Sequence, residues 1–359
     1  MTLYIENTRI YIQCVRNCCP EPAGGIMIAN SALNRRQFLG AVSVGAAVLA
    51  MPTLLRALPA KKKLAGIFPI GFTPVNSAGE IDFQGLAAQI KFCNRGGVQG
   101  FAWPQIASGW TTLSEAERMQ GAEALLSAGK GGPTAVVIGV QSKTADFAES
   151  ERYAKQAEKL GADAIICIAP PGVPPGPELV QYYQKLGKAS SLPMFIQTGG
   201  DFSVDLVVEL FNTVPTFRYV KDEAGEPLDR IKEILERTNH QLNVFSGKGV
   251  NTMITEMERG FAGHCPFVSF SDLYASAYDD YHAGRFREAF DQFARIEAAS
   301  TMFAQSDVNI LIARGVFKPG TTTRVAPPAP GADTRHHRPS DPEEIKRELD
   351  KYLKPYLKA

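Results

Sequence analysis

The sequence predicts an α/β fold, a (β/α)8 or TIM barrel with a C-terminal helical appendage. From Leu64 onward, short and almost wholly apolar runs alternate with amphipathic stretches, and eight such runs can be counted. Glycine or asparagine closes several of the amphipathic stretches, as is typical of helix C-termini. Apolar strands that alternate with helices indicate parallel β-α units covered on both faces. Eight such units close into a barrel.

The eight strand candidates and the helices between them can be assigned in order along the chain. The strand candidates are residues 65–72, 98–103, 134–141, 163–169, 193–197, 217–221, 242–246 and 265–270. The helical segments between them include EAERMQGAEALLSAG, DFAESERYAKQAEKLG, GPELVQYYQKLGKA, SVDLVVELFNTV and LDRIKEILERTN. The barrel is therefore predicted to occupy residues 64–275.

The remaining residues, 276–359, are predicted to form the helical appendage. Helical patterns cover 271–283, 285–304 and 306–317, and a loop rich in proline and glycine covers 319–342. The stretch DPEEIKRELDKYLKPYL is predicted as a last helix. Asp341 can cap it and Pro342 suits its first position. His336 and His337 lie in the preceding loop and are interpreted as loop residues and not as metal ligands.

Composition narrows the class of protein. Of the 359 residues, 45% are hydrophobic and 21% are charged, which excludes a disordered or collagen-like chain. The formal net charge of +1 gives no electrostatic reason to expect nucleic acid as a partner. The sequence contains no His-x-His, His-Glu-x-x-His or carboxylate cluster, so no metal is expected.

Residues 27–63 are predicted to be an export signal and a linker. The stretch NRRQFLGAVSVGAAVLAMPTLLRALPA has Arg35 and Arg36 followed by Phe-Leu and an apolar run without acidic residues. It looks like a twin-arginine signal, which implies the twin-arginine export machinery as a partner and a periplasmic or extracellular location. Two alternatives are a buried helix that begins with two arginines and an uncleaved membrane anchor. Leu58 favours the anchor, because it is a poor residue near a cleavage point after Ala60.

The cysteines do not predict a disulfide framework or a zinc site. Residues 1–26 precede the predicted signal, and Met27 is a plausible true start, so we interpret 1–26 as a mis-assigned extension. The segment CVRNCC within it matches no zinc spacing. Cys93, Cys167 and Cys265 lie in apolar or strand-like contexts, where cysteine usually acts as a small buried hydrophobe.

One lysine stands out at the end of a predicted strand. Active sites of (β/α)8 barrels lie at the C-terminal ends of the strands, where Lys143, Lys221 and Lys248 could sit. Lys221 ends the apolar segment FRYVK, and strand alternation places Phe217, Tyr219 and Lys221 on one face. If that face is the barrel interior, burial disfavours the charged ammonium form. The neutral amine is then a usable nucleophile towards a carbonyl group.

Residues 64–359 resemble the dihydrodipicolinate synthase / N-acetylneuraminate lyase family of Schiff-base aldolases and lyases. The segments that carry the resemblance are GIFPIGFTPVNSAGEIDFQGL, LSEAER, YAKQAEKLGADAIICIAPP, YVKDEAGE, FSGKG and YHAGRFREAF. The resemblance implies that Lys221 forms an imine with the keto carbon of pyruvate or a related 2-oxo acid. It also implies catalysis without a metal or other cofactor, and a homo-oligomer, commonly a tetramer.

The chain departs from this family at its proton relay. Family enzymes usually carry Tyr-Asn in the fifth strand, whereas this chain has Gln197 and Thr198 in LPMFIQTGGD. The carboxylate-binding loop after the second strand, usually Gly-Thr-Thr-Gly-Glu, reads QIASG at residues 105–109. A tyrosine after the fourth strand and an arginine after the fifth are also missing. General acid–base help is commonly worth ~10²–10⁴-fold in rate, so losing the relay is not a neutral change.

The candidate site residues follow from the resemblance and from these departures. Lys221 and Gln197 are the candidate catalytic residues, because a glutamine amide can orient a carboxylate, a hydroxyl or a water. Asp222 and Glu223 could be acid–base groups, but helix capping or a solvated position explains them equally well. The candidate substrate-binding residues are Thr73, Gln105, Ala107, Ser108, Thr198, Ser246 and Gly247.

The predicted function is a class I, Schiff-base lyase or aldolase. Its substrate is expected to be a pyruvate-type 2-oxo acid or a compound derived from a sugar acid. The missing relay and the predicted export argue against the lysine-biosynthesis enzyme itself. Two alternatives are a sugar-acid dehydratase that uses the same imine and a non-catalytic barrel that binds a small acid.

Overall fold

The computed structural model describes residues 2–6, 9–13 and 62–359, except 249, 304–305 and 326–340. The chain divides into two compact units, Met1–Pro59 and Ala60–Ala359. In the first unit, β1 (Thr2–Glu6) and β2 (Arg9–Gln13) pair antiparallel. The predicted twin-arginine segment, the proposed start at Met27, the CVRNCC cysteines and the two loop histidines lie outside the described residues. Within those residues, no helix has the length and apolar character needed to cross a membrane.

The second unit contains an eight-stranded parallel sheet that closes on itself. In chain order its strands are β3 (Gly66–Ile67), β5 (Gly100–Trp103), β6 (Ala135–Gly139), β7 (Ala164–Ile168), β8 (Met194–Gln197), β9 (Phe217–Asp222), β10 (Asn243–Ser246) and β11 (Gly263–His264). From β5 onward each strand pairs with the next in sequence, and β11 returns to β3. Closure between the first two strands comes just beyond β3, where the Ala102 amide donates to the Pro69 carbonyl at 3.0 Å. The predicted (β/α)8 barrel is thus confirmed.

The first and last barrel strands are shorter than the sequence predicts. Residues 265–270 were predicted as the eighth strand, but the strand is Gly263–His264 and Val268–Phe270 forms a 3₁₀ turn. Residues 65–72 were predicted as the first strand, but regular pairing covers only Gly66–Ile67. A proline follows each short strand, Pro266 in one case and Pro69 in the other. Proline has no amide hydrogen for the ladder, so regular pairing ends before it.

The helices follow the predicted segments closely. They are α1 (Phe83–Gly96), α2 (Glu115–Gly129), α3 (Phe147–Leu160), α4 (Pro177–Ala189), α5 (Val204–Thr213), α6 (Pro227–Arg237), α7 (Met253–Glu258), α8 (Ser271–His282), α9 (Phe286–Met302), α10 (Asp307–Ala313) and α11 (Pro342–Tyr352). Five of them, α1, α2, α3, α5 and α11, begin at a side-chain cap, and at α2 Ser114 and Glu117 form a reciprocal capping box. As predicted, Asp341 caps α11, and its side chain accepts from the Glu343 amide.

The segment predicted as a loop at 319–342 contains a strand. Strand β12 (Thr322–Arg324) pairs antiparallel with β4 (Thr73–Val75), which follows the first barrel strand. Arg324 donates to the Thr112 and Gly79 carbonyls and pairs with Glu117 at 3.0 Å. Short, polar and threonine-rich, the segment has no alternating apolar pattern that would have predicted a strand. It forms a strand because it pairs with β4, which lies far earlier in the chain.

Aromatic side chains fill the barrel below the C-terminal ends of its strands. Phe195 stacks on Tyr219 with ring centroids 4.5 Å apart, and Phe245 meets Phe195 edge to face at 5.1 Å. Tyr219 therefore belongs to the barrel interior, whereas Phe217 packs in the layer between sheet and helices. The prediction that Phe217 shares a face with Tyr219 and Lys221 was wrong. The β8–β9 register shifts between Met194 and Phe195, and such an irregularity reverses the alternation of side chains.

Candidate active site

A cavity of about 690 Å³ opens at the C-terminal ends of the barrel strands. This is where the barrel geometry gathers side chains from strands that are far apart in sequence. Its barrel side is lined by Ile70, Gln105, Ile106, Ala107, Gln197, Lys221, Glu223, Gly247 and Cys265. The helices that follow the barrel add a second wall, which includes Tyr274, Glu297, Ser300 and Asp307. The cavity is therefore built jointly by the barrel and its appendage.

Lys221 lies in this cavity on β9, the sixth barrel strand. Its backbone pairs with Gln197 of β8 on one side and Phe245 of β10 on the other. Only 4% of the residue is exposed, in agreement with the interior position that the sequence suggested. Tyr219 lies two residues earlier on the same face of the strand. The aliphatic part of the Lys221 side chain therefore begins next to the aromatic residues that fill the barrel interior.

The Lys221 amine contacts one carboxylate and one amide. Its Nζ lies 2.8 Å from Glu223 Oε1 and donates to Gln197 Oε1 at 3.4 Å. Gln197 Nε2 in turn donates to Glu223 Oε2 at 2.7 Å. The three side chains thus form a closed triangle in which each contacts the other two. A nucleophile, a proton acceptor and an orienting amide are thereby held together.

Asp222 faces away from this triangle. It is fully buried, and its carboxylate accepts two hydrogen bonds from Arg230 of α6, at 2.9 and 3.2 Å. Thr198 Oγ1 donates to Asp222 Oδ1 at 2.7 Å and accepts from the Glu223 and Ala224 amides. The hydroxyl of Thr198, a candidate substrate-binding residue, is therefore used in hydrogen bonds that hold the turn carrying Glu223. The sequence left Asp222 and Glu223 equivalent, whereas the structure places only Glu223 in the cavity.

Gly247 keeps the triangle open on its β10 side. A Cβ atom on this residue would lie 2.2 Å from Glu223 Oε1 and 2.4 Å from Lys221 Cε. Such distances are far below van der Waals contact, so any side chain here would push the lysine or the carboxylate aside. The role of Gly247 is thus to permit close approach of its backbone to the two charged groups.

Two of the predicted substrate-binding residues, Ser108 after the second strand and Thr73 after the first, make hydrogen bonds that stabilise the protein itself. Ser108 Oγ donates to the Gly71 carbonyl at 2.5 Å and accepts from the Gln105 amide at 3.0 Å. Thr73 Oγ1 donates to the Ser108 carbonyl and accepts from Trp103 Nε1, both at 2.8 Å. Ser108 and Thr73 are fully buried. Ala107, from the same loop, does line the cavity.

Gln105 has an acceptor without a hydrogen-bond partner. Its Nε2 donates to the Pro104 carbonyl at 2.8 Å, and Gln141 Nε2 donates to the same carbonyl at 2.8 Å. Gln105 Oε1 is buried and accepts no hydrogen bond, although the residue lines the cavity. An unsatisfied buried acceptor is costly, so a donor from a bound molecule would be favourable at this atom.

Ser246, another candidate substrate-binding residue, is part of a buried network next to the cavity. Its Oγ donates to Glu256 Oε1 at 2.8 Å, and Thr252 donates to the same oxygen. His264 Nδ1 lies 2.7 Å from Glu256 Oε2. Burial acts to raise the pKa of Glu256, but the hydrogen bonds and charge from His264, with those of the two hydroxyls, bring it below its ordinary value. Ser246 thus orients a structural carboxylate.

The wall from the C-terminal helices is acidic, and sequence reasoning missed it. Asp307, at the start of α10, accepts a hydrogen bond from Ser269, and burial raises its pKa to about 6. Burial also raises the pKa of Glu297 on α9. These two residues are far from the barrel motifs in sequence, and nothing in the pattern of α9 or α10 marks them. Only the packing of the appendage against the strand ends brings them to the cavity.

The described residues contain no group of three or more His, Cys, Asp or Glu side chains that could hold a metal ion. Cys93, Cys167 and Cys265 are free and buried, as predicted. Cys265 lines the cavity, but burial raises the pKa of its thiol to about 12, so the nucleophilic thiolate is disfavoured. Among the cavity-lining side chains described, the amine of Lys221 is therefore the group suited to attack a carbonyl.

A model of the Dihydrodipicolinate synthetase family matches residues 63–332. The chain belongs to this family. The match covers the whole barrel, β12 and helices α1 to α10. It includes every residue of the Lys221–Glu223–Gln197 triangle, so the inferred resemblance to this family is confirmed.

Curated relatives and solved structures of the family agree with this assignment. The 4-hydroxy-tetrahydrodipicolinate synthase of Methanosarcina mazei is 29% identical over 179 residues, which cover 48% of this chain and 59% of the relative. The enzyme of the same name from Sulfurimonas denitrificans is 31% identical over 176 residues, 47% of this chain and 58% of the relative. The chain thus spans less than two thirds of the length of these relatives.

Solved structures of family members show the same fold. N-acetylneuraminate lyase from Mycoplasma synoviae superposes with a TM-score of 0.65 at 18% identity, covering 84% of this chain and 100% of that one. Dihydrodipicolinate synthase from Aquifex aeolicus gives 0.66 at 18% identity, with 80% and 97% covered. A family protein from Escherichia coli K12, solved in complex with pyruvate, gives 0.65 at 20% identity, with 80% and 98% covered.

Proposed function

We propose that the protein is a class I, Schiff-base lyase or aldolase acting on a pyruvate-type 2-oxo acid or a substrate derived from a sugar acid. One observation carries the proposal: the Lys221 amine is buried in the barrel-mouth cavity between Glu223 and Gln197. Membership of a family of lyases supports it, as does the pyruvate complex of a protein with the same fold. The reaction needs no metal or other cofactor.

The geometry supports each early step of imine formation. The Lys221 ammonium must lose a proton before its nitrogen can attack, and Glu223 Oε1 at 2.8 Å is within reach to accept it. The neutral amine adds to the keto carbon, and loss of water from the adduct gives a protonated imine. The positive imine nitrogen then withdraws electrons from the neighbouring carbons. This makes cleavage or formation of an adjacent carbon–carbon bond feasible.

The carboxylate beside the lysine favours an enzyme over a barrel that only binds a small acid. In a site that only binds a small acid, the Glu223 carboxylate would repel the ligand's negative charge and compete with it for the lysine. Such a site would also have to offset the cost of removing both charges from water. The second candidate function within the enzymes is a sugar-acid dehydratase, which uses the same imine and proton acceptor and expels a hydroxyl group. The orphaned Gln105 Oε1 favours a hydroxyl-bearing substrate, to which both reactions could apply.

The substrate is proposed to differ from that of the 4-hydroxy-tetrahydrodipicolinate synthases that the chain resembles. Gln197 occupies the position of the relay tyrosine, and the hydroxyl groups of Thr73 and Ser108 donate hydrogen bonds to backbone carbonyls of the protein. The proposal further includes export through the twin-arginine machinery to a periplasmic or extracellular location. A homotetrameric assembly is proposed by analogy with the family.

Borohydride trapping tests the proposal directly. The full chain would be incubated with pyruvate and a panel of 2-oxo sugar acids, reduced, and analysed by intact and peptide mass spectrometry. We expect a reduced adduct on the peptide that contains Lys221, and none in Lys221→Ala. Lys248→Ala is the matched control, because Lys248 lies on the neighbouring turn but pairs with Glu226 at the surface. A folded protein that gives no adduct with any compound would contradict imine chemistry.

A further inference from the structure

The missing tyrosine relay leaves the proton-transfer step without an assigned residue. Once the imine has formed, a proton must leave the carbon next to the imine carbon to give the enamine. A group that accepts this proton must lie beside the lysine nitrogen and must be able to change its protonation state. Both conditions can be compared with the side chains that line the cavity.

Only some of the described side chains at the cavity satisfy the first condition. Glu223 and Gln197 contact the Lys221 amine, whereas Glu297 and Asp307 belong to the opposite wall of the appendage. A glutamine amide hydrogen-bonds but does not exchange its proton at neutral pH, which excludes Gln197 as the base. Asp222 is excluded as well, because Arg230 and Thr198 occupy its oxygens outside the cavity.

Glu223 is also held in a defined orientation. Gln197 Nε2 donates to its Oε2 at 2.7 Å, which leaves Oε1 directed at the lysine nitrogen. The Glu223 amide is fixed by Thr198 Oγ1 at 2.9 Å, and Gly247 leaves the space that the carboxylate occupies. With 23% of its side chain exposed, Glu223 can also exchange protons with water that enters the cavity. These contacts give it the fixed geometry that acid–base catalysis requires.

We propose that Glu223 is the catalytic acid–base residue that takes the place of the tyrosine relay, with Gln197 as its positioning residue. The inference rests on the proposed imine at Lys221. In the step assigned to Glu223, its carboxylate removes a proton from the carbon adjacent to the imine carbon. The electron pair of that C–H bond forms the carbon–carbon double bond of the enamine, and the imine π electrons move to the nitrogen. Glu223, now protonated, returns the proton when the enamine is protonated or when product is released.

Exchange of the methyl protons of pyruvate with deuterated water isolates this step from the unknown second substrate. The full chain would be incubated with pyruvate in D2O, and loss of the methyl signal would be followed by proton NMR. Borohydride trapping on the same samples would give the amount of imine, so that exchange is expressed per imine. The variants are Glu223→Gln, which keeps shape but not basicity, and Glu223→Asp, which keeps a carboxylate. Glu226→Gln is the matched control, because Glu226 is an exposed acid three residues away.

We expect Glu223→Gln to form imine at Lys221 more slowly, because water must then accept the proton of the ammonium group, but still to trap it after long incubation. Its exchange per imine should fall by ~10²–10⁴-fold, the usual size of the contribution of general acid–base catalysis. Glu223→Asp should recover part of that loss, and Glu226→Gln should match the wild type. For Gln197→Ala we expect slower exchange that keeps its dependence on pH, whereas Glu223→Gln should lose that dependence.

Two results would overturn the inference. Exchange per imine in Glu223→Gln within about threefold of the wild type would show that another group removes the proton. Complete loss of trapping in a folded Glu223→Gln, even after long incubation, would show that the residue is indispensable for imine formation and would contradict its assignment to the later step. Failure of the proposed function itself looks different, because the wild type would then trap no imine at all.

Discussion

Two stretches of the barrel rim differ in what their polar side chains do. The sixth-strand rim, residues 221–225, presents Lys221 and Glu223 to the cavity. The second-strand rim, residues 105–113, turns Ser108 inward, where its hydroxyl links the loop to Gly71. Both rims lie at the C-terminal ends of strands in one sheet, and both have polar residues at family positions.

The difference shows where on the barrel a residue at a family position also has the expected place in the structure. On the sixth-strand rim Lys221 lies on a strand, whose register against β8 and β10 fixes the direction of its side chain, and Glu223 follows directly after the last residue of that strand. On the second-strand rim the chemistry would come from a loop, and this loop is held by its own hydrogen bonds and by β12. A Cβ at Gly109 would lie 2.9 Å from the Arg324 backbone, which shows how tightly β12 packs on it. Lys221, on a regular strand, lies in the cavity as the family motif predicts, whereas Ser108, in a loop, makes hydrogen bonds that stabilise the protein itself.

The comparison would be tested most severely at Gly247, which borders the sixth-strand rim. Gly247→Ala places a methyl group within 2.4 Å of both Glu223 Oε1 and Lys221 Cε, so we expect trapping of the imine to fall by ~10²-fold or more. Gly199→Ala is the control, because a Cβ there meets no atom within 4 Å. If Gly247→Ala traps as much imine as the wild type, imine formation does not depend on the observed arrangement of Lys221, Glu223 and Gln197.

The next largest effect is expected at the outward face of the same rim. Arg230→Ala leaves the buried Asp222 carboxylate without its cation, and breaking a buried pair in this way typically costs about 3 kcal/mol in free energy of unfolding. Urea unfolding followed by circular dichroism would measure it. Arg237→Ala, which removes a surface ion pair from the same helix, should leave the midpoint almost unchanged. Equal midpoints for the two variants would contradict a structural role for the Asp222–Arg230 pair.

On the second-strand rim we expect a substitution to lower the free energy of unfolding but to leave imine formation at Lys221 unchanged. Ser108→Ala leaves the Gly71 carbonyl and the Gln105 amide without a partner, at a cost of about 1–3 kcal/mol in unfolding free energy. The amount of pyruvate imine trapped per folded molecule should stay at the wild-type level. Ser127→Ala on the exposed face of α2 is the control. A selective loss of trapping in Ser108→Ala would place this hydroxyl in substrate binding after all.

The smallest effect is expected at Asp307, in the cavity wall formed by the C-terminal helices, where a substitution changes how stability depends on pH. Burial raises the pKa of Asp307 to about 6 from an ordinary value of 3.8, so the folded protein binds this proton more tightly than the unfolded chain. Asp307 therefore makes stability fall as the pH rises between about 4 and 6. The melting temperature measured from pH 7 to pH 5 should rise less in Asp307→Asn than in the wild type. Parallel curves for the two proteins would contradict this.

Sequence patterns predicted the barrel well because its signals are local. Several helices begin at a side-chain cap such as Ser114 or Asp341, and most barrel strands are apolar runs bounded by turn residues. The errors arose where a distant partner decided the outcome. Strand β12 exists because it pairs with β4, and Phe217 changed faces because the β8–β9 register shifts.

The sequence by itself determined the alternation of strands and helices, the family and the position of Lys221 at a strand end. It did so because hydrophobic periodicity and short motifs are properties of neighbouring residues. Only the tertiary structure decided that Glu223 and not Asp222 faces the lysine, that Ser108 and Thr73 point into the protein, and that Asp307 joins the cavity. These outcomes depend on strand register and on the packing of segments distant in sequence, which no local pattern encodes.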